Sequence, residues 1–532
     1  MPTNCRDNTL IWDDPQGTGA QNVIKRAHRL LDLHWTPTAP MRINEKKYWS
    51  IGGDDFTPTE VVGTPYASTR VSDKFIGIDL PVETYLSAVN NPASILYRRD
   101  LGDFNDPAYC CTVKNAFILY GVVCSVFVSY CLDMTLRRTT YEWDTAPELE
   151  PVTSPGPDSL RVCDTLVTTD STGHAGGHVR IVTGLGRDAD GKVQSVEISE
   201  SIPPVTVCRC FTRDEFTDSL LGHTGTYRIF RYRYLDRVRD VQSIDVTCDP
   251  RAPQPHYGDG AAYRTDETVE ISLPVDALEL VIASDAGEQR IKASDLPVRT
   301  FWKTERRIWK GSLPVGEYTA SCIYADGTSE ASHFTVAALP EVEYLNEDGS
   351  KLGTVVCKLC RLDGTELTED APELYEDGKL LSAAVIAVKC EGAVYPIHVG
   401  IARADSGIFV RPSALFTDAD GNILKAIRIG GDTELYALAA KKGAPLIIRF
   451  TSGELCRPLY ISWRDETFAT YNQRVLTECE LASGEARSLL ILSASEAKLI
   501  MKTHESDFVH LALCCRTDTC RLVTPSVLML AR

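Results

Sequence analysis

One apolar stretch decides how the first half of the chain folds: Tyr120-Gly-Val-Val-Cys-Ser-Val-Phe-Val-Ser-Tyr-Cys-Leu132. Gly121 interrupts the run, and Val128 and Leu132 follow Cys124 at the spacing of one helix face. The spacing predicts a buried helix that begins at Cys124. Because a helix N-terminus presents unpaired N–H groups and a partial positive charge, it favours a thiolate there. Cys124 is therefore the candidate nucleophile. Cys110, Cys111 and Cys131 compete for this role, but the first two have no comparable helix-start pattern, and Cys131 lies two turns into the predicted helix.

A nucleophilic cysteine needs a general base, and the sequence offers a histidine in His174-Ala-Gly-Gly-His-Val-Arg-Ile-Val-Thr-Gly184. Two glycines precede His178 and let the backbone run close beside a cleft, and a strand pattern follows it. We predict that His178 is the base. His174, in the preceding polar loop, and His398, in a similar strand pattern, are its rivals.

A third polar residue on the next strand should orient the imidazole from its far side. The pair Asp190-Gly191 predicts a hairpin turn. The return strand Val193-Gln-Ser-Val-Glu-Ile-Ser-Glu-Ser201 then carries two carboxylates. Glu197 is the preferred third member and Glu200 is the alternative. Both residues could equally be exposed charges on the strand with no role in a site.

Turn signals divide the chain into unlike parts. Seven Asp-Gly pairs occur, six of them beyond residue 250, between short alternating runs such as 268–273, 318–324 and 445–450. The first part instead has helical spacing at 23–31 and 82–89. Three prolines within 250–257 predict a linker. We therefore expect an α+β domain over 1–255, a β-sandwich over 256–340 and one or two further β-sandwich modules over 341–532.

Composition narrows the classes of partner. The 73 acidic residues outnumber the 55 basic ones and give a net charge of −18. This charge argues against sequence-independent binding to nucleic acid and against binding to an anionic membrane. No apolar run is long enough to predict a membrane span. The first residues lack a secretory pattern, and eighteen cysteines in so long a chain slightly favour reduced thiols in a cytoplasm.

Two patterns are similar to metal sites without completing them. Cys357 and Cys360 have zinc-ligand spacing, but no second pair follows at a suitable distance. The loops that begin at Asp188 and Asp418 lack the twelfth-position glutamate of a calcium loop, so they predict hairpin turns. No phosphate-binding loop is found. The sequence therefore predicts neither a metal nor a cofactor.

Four segments occur in the order typical of one peptidase family. They are Gly63-Thr-Pro-Tyr66, Cys124-Ser-Val-Phe-Val-Ser-Tyr130, Asp164-Thr-Leu-Val167 and His178-Val-Arg-Ile-Val-Thr-Gly184. Over roughly residues 60–216 the chain resembles the NlpC-like cysteine peptidases, which have a papain-like fold and mostly cleave bacterial cell-wall peptides, often next to D-glutamate. Related branches are amidases or acyltransferases.

The resemblance implies a role for each matching residue. Cys124 would be the nucleophile, His178 the base and Glu197 the third member, with Tyr66 and Ser125 beside the substrate. The chain departs from the family at Val123 and Val126, where the family usually has Asp and Gly. Its spacing from Tyr66 to Cys124 is also several times the usual one.

The combined prediction is a papain-like α+β N-terminal domain followed by all-β immunoglobulin-like sandwich modules. We expect a cysteine hydrolase that cleaves an amide or isopeptide bond in a peptidoglycan stem peptide or related cell-wall fragment. The β modules are expected to bind glycan or protein. One alternative is a binding protein whose papain-like domain is inactive, as Val123 and Val126 would favour, and the other is a thiol acyltransferase.

Overall fold

The computed structural model describes most of the chain, and its described residues are predominantly β-sheet. The described ranges are 6–39, 41–42, 50–51, 57–66, 75–97, 120–134, 137–153, 156–169, 175–218, 227–244, 249–381, 383–412, 415–431, 434–441, 444–465, 471–475, 488–492, 508–523 and 527–531. They form two compact units, which divide between residues 248 and 249. Residues 93–97 belong to the second unit.

The first unit combines four helices of the described residues with one large sheet. The helices are α1 (Gly17–Leu31), α2 (Val82–Asn90), α3 (Cys124–Cys131) and α4 (Arg213–Phe216). The strands are β1 (Ile11–Trp12), β2 (His34–Trp35), β3 (Met41–Arg42), β4 (Ser50–Ile51), β5 (Val61–Val62), β6 (Leu149–Pro151), β7 (Thr165–Thr169), β8 (Ala175–Arg187), β9 (Val193–Ser201), β10 (Thr206–Thr212) and β11 (Tyr227–Tyr232). The helices predicted near 23–31, 82–89 and from Cys124 are confirmed.

The large sheet has the antiparallel order β10-β9-β8-β7-β11-β6, and β1 pairs with the far end of β8. Gly191 takes a positive φ of 80° in the turn between β8 and β9, so the hairpin predicted at Asp190-Gly191 is confirmed. A hydrophobic core packs against this sheet. Its buried apolar side chains include Leu166, Val182, Val196, Ile198, Phe216 and Ile229.

Arg26 on α1 binds the C-terminal end of α3. Val23, Ala27 and Leu30 of α1 are fully buried, as their spacing predicts. On the same helix Arg26 donates from Nε to the carbonyl of Tyr130 at 2.7 Å and lies 3.1 Å from Asp133. A cation at the C-terminal end of a helix interacts favourably with the helix dipole and with carbonyls that have no intrahelical partner. Arg26 therefore fixes the C-terminal end of α3.

The second unit begins with a two-sheet module. Its strands are β12 (Gln254–Pro255), β13 (Ala261–Arg264), β14 (Val269–Pro274), β15 (Glu279–Ser284), β16 (Gly287–Lys292), β17 (Val298–Phe301), β18 (Thr304–Gly311), β19 (Gly316–Tyr324), β20 (Gly327–Thr328) and β21 (Ser332–Ala337). They form the sheets β12-β14-β18-β17 and β13-β21-β19-β15-β16. Within the stretch 250–257 that is predicted as a linker, strand β12 pairs with β14 and is buried.

Eighteen further strands follow in the described residues of this unit. They are β22 (Val342–Leu345), β23 (Gly353–Cys360), β24 (Tyr375–Glu376), β25 (Lys379–Leu380), β26 (Ala383–Cys390), β27 (Ala393–Ala404), β28 (Gly407–Pro412), β29 (Phe416–Thr417), β30 (Ile423–Leu424), β31 (Ile427–Arg428), β32 (Leu435–Ala440), β33 (Leu446–Phe450), β34 (Arg457–Asp465), β35 (Tyr471–Val475), β36 (Ser488–Leu492), β37 (Phe508–Arg516), β38 (Arg521–Val523) and β39 (Val527–Ala531). The main sheet follows the order β31-β28-β27-β26-β23-β32-β39-β37-β34-β35.

A disulfide joins two neighbouring strands of this sheet. Cys357 on β23 and Cys390 on β26 are directly opposed and covalently linked. The expectation of reduced thiols is therefore wrong for this pair. Cys360, which completes the zinc-like spacing, is a free and buried cysteine. Among the described residues, no helix combines the length and apolar character that crossing a membrane requires.

Gly63 offers a test of how tightly the first unit is built. Its φ is 97°, and a Cβ added there would meet the carbonyl oxygen of Thr206 at 2.6 Å. We expect Gly63→Ala to lower the free energy of unfolding by about 2–3 kcal/mol, since backbone strain and steric overlap add. Chemical denaturation of the full chain, followed by fluorescence, measures the loss.

The matched control is Gly191→Ala. Gly191 has a similar φ of 80°, but a Cβ there meets no atom within 4 Å. It should therefore show only the backbone cost of about 1 kcal/mol. Equal losses for the two variants would mean that the close approach at Thr206 contributes nothing.

Candidate active site

Three separate segments position the start of α3. The N–H of Val122 donates to the carbonyl of Pro65 at 2.9 Å, and the hydroxyl of Ser201 donates to the carbonyl of Val122 at 2.9 Å. The backbone of Tyr66 also lies beside Val122. The residue two positions before Cys124 is therefore held from both sides, by the Gly63–Tyr66 segment and by the end of β9.

Cys124 is the first residue of α3 and is a free, buried cysteine. The preceding residue, Val123, is the N-cap, and its side chain provides no capping hydrogen bond. The N–H groups in the first turn of a helix have no intrahelical acceptor. The thiol and these N–H donors therefore occupy the same end of the helix.

His178 lies beside this thiol on β8. Its backbone is fixed by Thr168, whose Oγ1 accepts from His178 N at 2.7 Å and donates to its carbonyl at 3.2 Å. Its ring is hydrogen-bonded to the thiol of Cys124, and its Nε2 is 2.7 Å from Oε2 of Glu200. Because Nε2 faces the carboxylate, Nδ1 is the nitrogen left for the thiol.

The third position is occupied by Glu200, not by Glu197. Side chains three residues apart on a regular strand project to opposite faces, and β9 pairs without interruption with β10. Glu197 therefore points to the other face, where Arg6 binds it at 2.7 and 3.0 Å. The prediction that Glu197 lies next to His178 is wrong, and the alternative residue takes its place.

Glu200 holds a buried carboxylate among three cations. Its side chain is fully buried. Besides His178, it contacts Arg180, whose Nε is 2.7 Å away, and Arg209, whose Nε donates to Oε1 at 3.1 Å. The Arg180 contact is an ion pair without hydrogen-bond alignment, because this Nε has no hydrogen-bond acceptor among the described residues.

The pKa values of this pair move in opposite directions. Burial alone would raise the pKa of Glu200, but the hydrogen bond from His178 and the charges of Arg180 and Arg209 lower it to about 2. Burial alone would lower the pKa of His178, but hydrogen bonds with Cys124 and Glu200 raise it to about 9. At neutral pH the imidazole is therefore protonated and the carboxylate charged.

The other sequence candidates are placed as follows. Ser125 is half-buried at the second position of α3, and Tyr66 is half-buried beside the residues that precede it.

Cys131 is fully buried at the end of α3, and burial raises the pKa of its thiol well above the usual range. His398 lies on β27 of the second unit. His174, Cys110 and Cys111 lie outside the described residues.

Sequence reasoning missed both arginines around Glu200. Arg180 follows His178 by two residues on the same strand, so strand alternation alone places both side chains on one face. Arg209 required the register between β9 and β10, in which it stands diagonal to Glu200. That register is not visible in a single sequence.

No family model matches the chain, and no curated protein matches it at a significant level. Similar solved structures include SGBP-B of the Bacteroides ovatus mixed-linkage glucan utilization locus in complex with a mixed-linkage heptasaccharide, at 13% identity, 52% coverage of this chain, 66% of that chain and a TM-score of 0.11. Dimeric latent PorU from Porphyromonas gingivalis matches at 8% identity and a TM-score of 0.13. The match covers 69% of this chain and 29% of the PorU chain.

The complex of Dpr2 Ig1-Ig2 with DIP-Theta Ig1-Ig3 matches at 8% identity, with 53% of this chain and 100% of that chain covered, and a TM-score of 0.12. This chain thus spans 66% of the SGBP-B chain and 29% of the PorU chain. At these scores the likeness carries no inference about ligand or activity.

Exchange of Glu200 for glutamine tests the electrostatics of the site. In Glu200→Gln the pKa of His178 should fall well below 9, because burial then acts without the compensating carboxylate. The variant should also lose about 3 kcal/mol of stability, since buried cations lose their counter-ion. NMR titration of the His178 ring measures the first effect, and denaturation measures the second.

Glu197→Gln is the control for this experiment. It removes a carboxylate from the same strand, three residues away and on the opposite face. The pKa of His178 should then stay near 9. An equal fall in both variants would show that the raised value does not depend on the contact with Glu200.

Proposed function

We propose that the first unit is a papain-like cysteine hydrolase domain that cleaves an amide or isopeptide bond. One observation carries the proposal: Cys124 opens helix α3 in hydrogen-bond contact with His178, whose Nε2 lies 2.7 Å from the buried carboxylate of Glu200. Nucleophilic catalysis by a thiol requires a base in contact with the nucleophile and a third group that orients the base, and these three residues are in contact in that order.

The acylation step follows from this arrangement. His178 holds the proton of the Cys124 thiol, and the sulfur attacks the carbonyl carbon of the substrate. A C–S bond forms while the carbonyl electrons move to oxygen, where the N–H groups at the start of α3 stabilise the negative charge. The carbonyl re-forms, the C–N bond breaks, and the imidazolium of His178 gives its proton to the leaving amine.

Water completes the cycle. His178, now neutral, takes a proton from a water molecule, whose oxygen attacks the thioester carbon. The C–S bond then breaks, and the sulfur is released with the proton held again by His178. The net reaction adds one water across the amide bond and restores the enzyme.

Glu200 has an electrostatic role in this scheme. Its carboxylate remains charged at neutral pH, because the cations around it lower its pKa to about 2. A fixed negative charge beside Nε2 orients the ring and stabilises the imidazolium. We therefore assign Glu200 as the positioning residue for the base, in place of Glu197.

The proposed substrate is a peptidoglycan stem peptide or a related cell-wall fragment. This choice rests on the resemblance of residues 60–216 to NlpC-like peptidases. Tyr66 and Ser125 would lie beside the substrate, since the first flanks the residues before Cys124 and the second follows it.

For the second unit we propose immunoglobulin-like sandwich modules that bind glycan or protein. Its first module contains two sheets, and strand β19 of one sheet alternates between buried and more exposed residues, as expected for a sandwich.

Alkylation of individual cysteines tests the thiol–imidazole pair. In the wild type, iodoacetamide should modify Cys124 rapidly at pH 6–7, at least about tenfold faster than Cys131, because only the thiolate reacts. In His178→Ala, rapid modification of Cys124 should require a higher pH. Peptide mass spectrometry of the full chain gives the rate at each cysteine.

The pH dependence of hydrolysis separates catalysis from simple reactivity. Hydrolysis needs the imidazolium of His178 as the acid, so kcat/KM should fall as the pH rises through about 9. Alkylation should continue above that pH, because the thiolate persists. Turnover is measured by chromatography of cell-wall peptides with the wild type, with Cys124→Ala and with Cys131→Ala as the matched control.

The outcomes divide the candidate functions. Turnover that is lost in Cys124→Ala and kept in Cys131→Ala supports the hydrolase. Transfer of the acyl group to an added amine in preference to water would identify an acyltransferase. A Cys124 that reacts no faster than Cys131 would refute the catalytic proposal and leave an inactive domain in a binding protein.

A further inference from the structure

The proposed site contains more positive than negative charge. Glu200 supplies one negative charge, while Arg180 and Arg209 supply two positive charges. Cys124 and His178 together are neutral whether the shared proton is on sulfur or on nitrogen. These five groups therefore sum to one positive charge whenever the pair holds a single proton.

Among the described residues, Glu200 is the acidic side chain that pairs with these two arginines, and their other neighbours carry no negative charge. The guanidinium of Arg180 lies 5.1 Å from the ring centroid of Tyr227, and Arg209 lies over the ring of Phe211. Tyr227 stays neutral, because burial raises the pKa of its hydroxyl. Glu197 faces the opposite side of the sheet and is bound by Arg6.

The surplus charge is also accessible from solvent. The side chain of Arg209 is 46% exposed, and that of His178 is 22% exposed, while their shared partner Glu200 is fully buried. An anion can therefore approach Arg209 beside the imidazole without being transferred into a dry interior. A positive charge in a cleft attracts anionic ligands and raises their local concentration.

We propose that Arg209, supported by Arg180, selects an acyl donor that carries a carboxylate close to the scissile carbonyl. This inference rests on the proposed function, because it concerns the substrate of the Cys124 thiol. Guanidinium groups bind carboxylates through parallel N–H donors, and the partly exposed Arg209 presents such donors beside His178. Arg209 is a specificity-determining residue in this proposal.

Two small alkylating reagents test the proposal without knowledge of the substrate. Iodoacetate and iodoacetamide have the same leaving group and nearly the same size, but only the first carries a carboxylate. With either reagent, the sulfur of Cys124 forms a bond to the CH₂ carbon while the C–I bond breaks and iodide leaves. The ratio of the two rate constants at Cys124 therefore reports the charge near the thiol.

In the full-length wild type at low salt, the iodoacetate-to-iodoacetamide ratio at Cys124 should exceed the ratio in the urea-unfolded chain by about threefold or more, the effect of one nearby unit charge. The excess should shrink in high salt. Arg209→Gln should remove most of it, and Arg209→Lys should retain it. The matched control is Arg213→Gln, whose cation is already paired with Asp158 at 2.6 Å.

The outcomes keep the two proposals apart. If Cys124 reacts rapidly with iodoacetamide and the ratio is the same in the wild type, Arg209→Gln and the unfolded chain, the inference is overturned while the hydrolase proposal stands. A Cys124 that reacts slowly with both reagents refutes the hydrolase proposal and the inference with it. An equal loss in Arg213→Gln would also contradict the inference, because it would show a general charge effect.

Discussion

The buried carboxylate of Glu200 is the interaction on which the rest of the proposed site depends. It contacts His178, Arg180 and Arg209 from three sides, and its own side chain has no access to water. An isolated buried carboxylate is strongly unfavourable, and here three cations offset the loss of hydration. The same contacts that allow the charge to be buried also set the protonation state of the imidazole. Glu200 therefore contributes both to the stability of the fold and to the proposed chemistry.

The thiol is positioned by contacts at both ends of a short helix. At the N-terminal end, Pro65 and Ser201 hold Val122 by hydrogen bonds, while at the C-terminal end Arg26 binds the carbonyl of Tyr130. Ser201 directly follows Glu200 on β9. One strand end therefore fixes both the start of α3 and the partner of the imidazole, which links the positions of sulfur and ring.

Local patterns in the sequence were sufficient for part of this arrangement. The apolar spacing after Cys124, the glycines before His178 and the Asp190-Gly191 turn each depend on neighbouring residues, and the elements that they predict are present. The choice between Glu197 and Glu200 depended on which face of β9 meets His178. Both residues lie on the predicted strand, so only the pairing of β8 with β9 decides between them. The two arginines were missed for the same reason, and so was the pairing of β12 with β14 within the proline-rich stretch.

The order of these groups along the chain has a consequence for synthesis. Helix α3 is only eight residues long, and helices of this length are marginal without tertiary contacts. Its thiol leaves the ribosome well before His178, Glu200 and Ser201 have been made. Until β9 pairs with β8, the growing chain contains an ordinary cysteine with no base beside it. The reactive pair is therefore assembled late, so a nascent or truncated chain would be protected from its own chemistry.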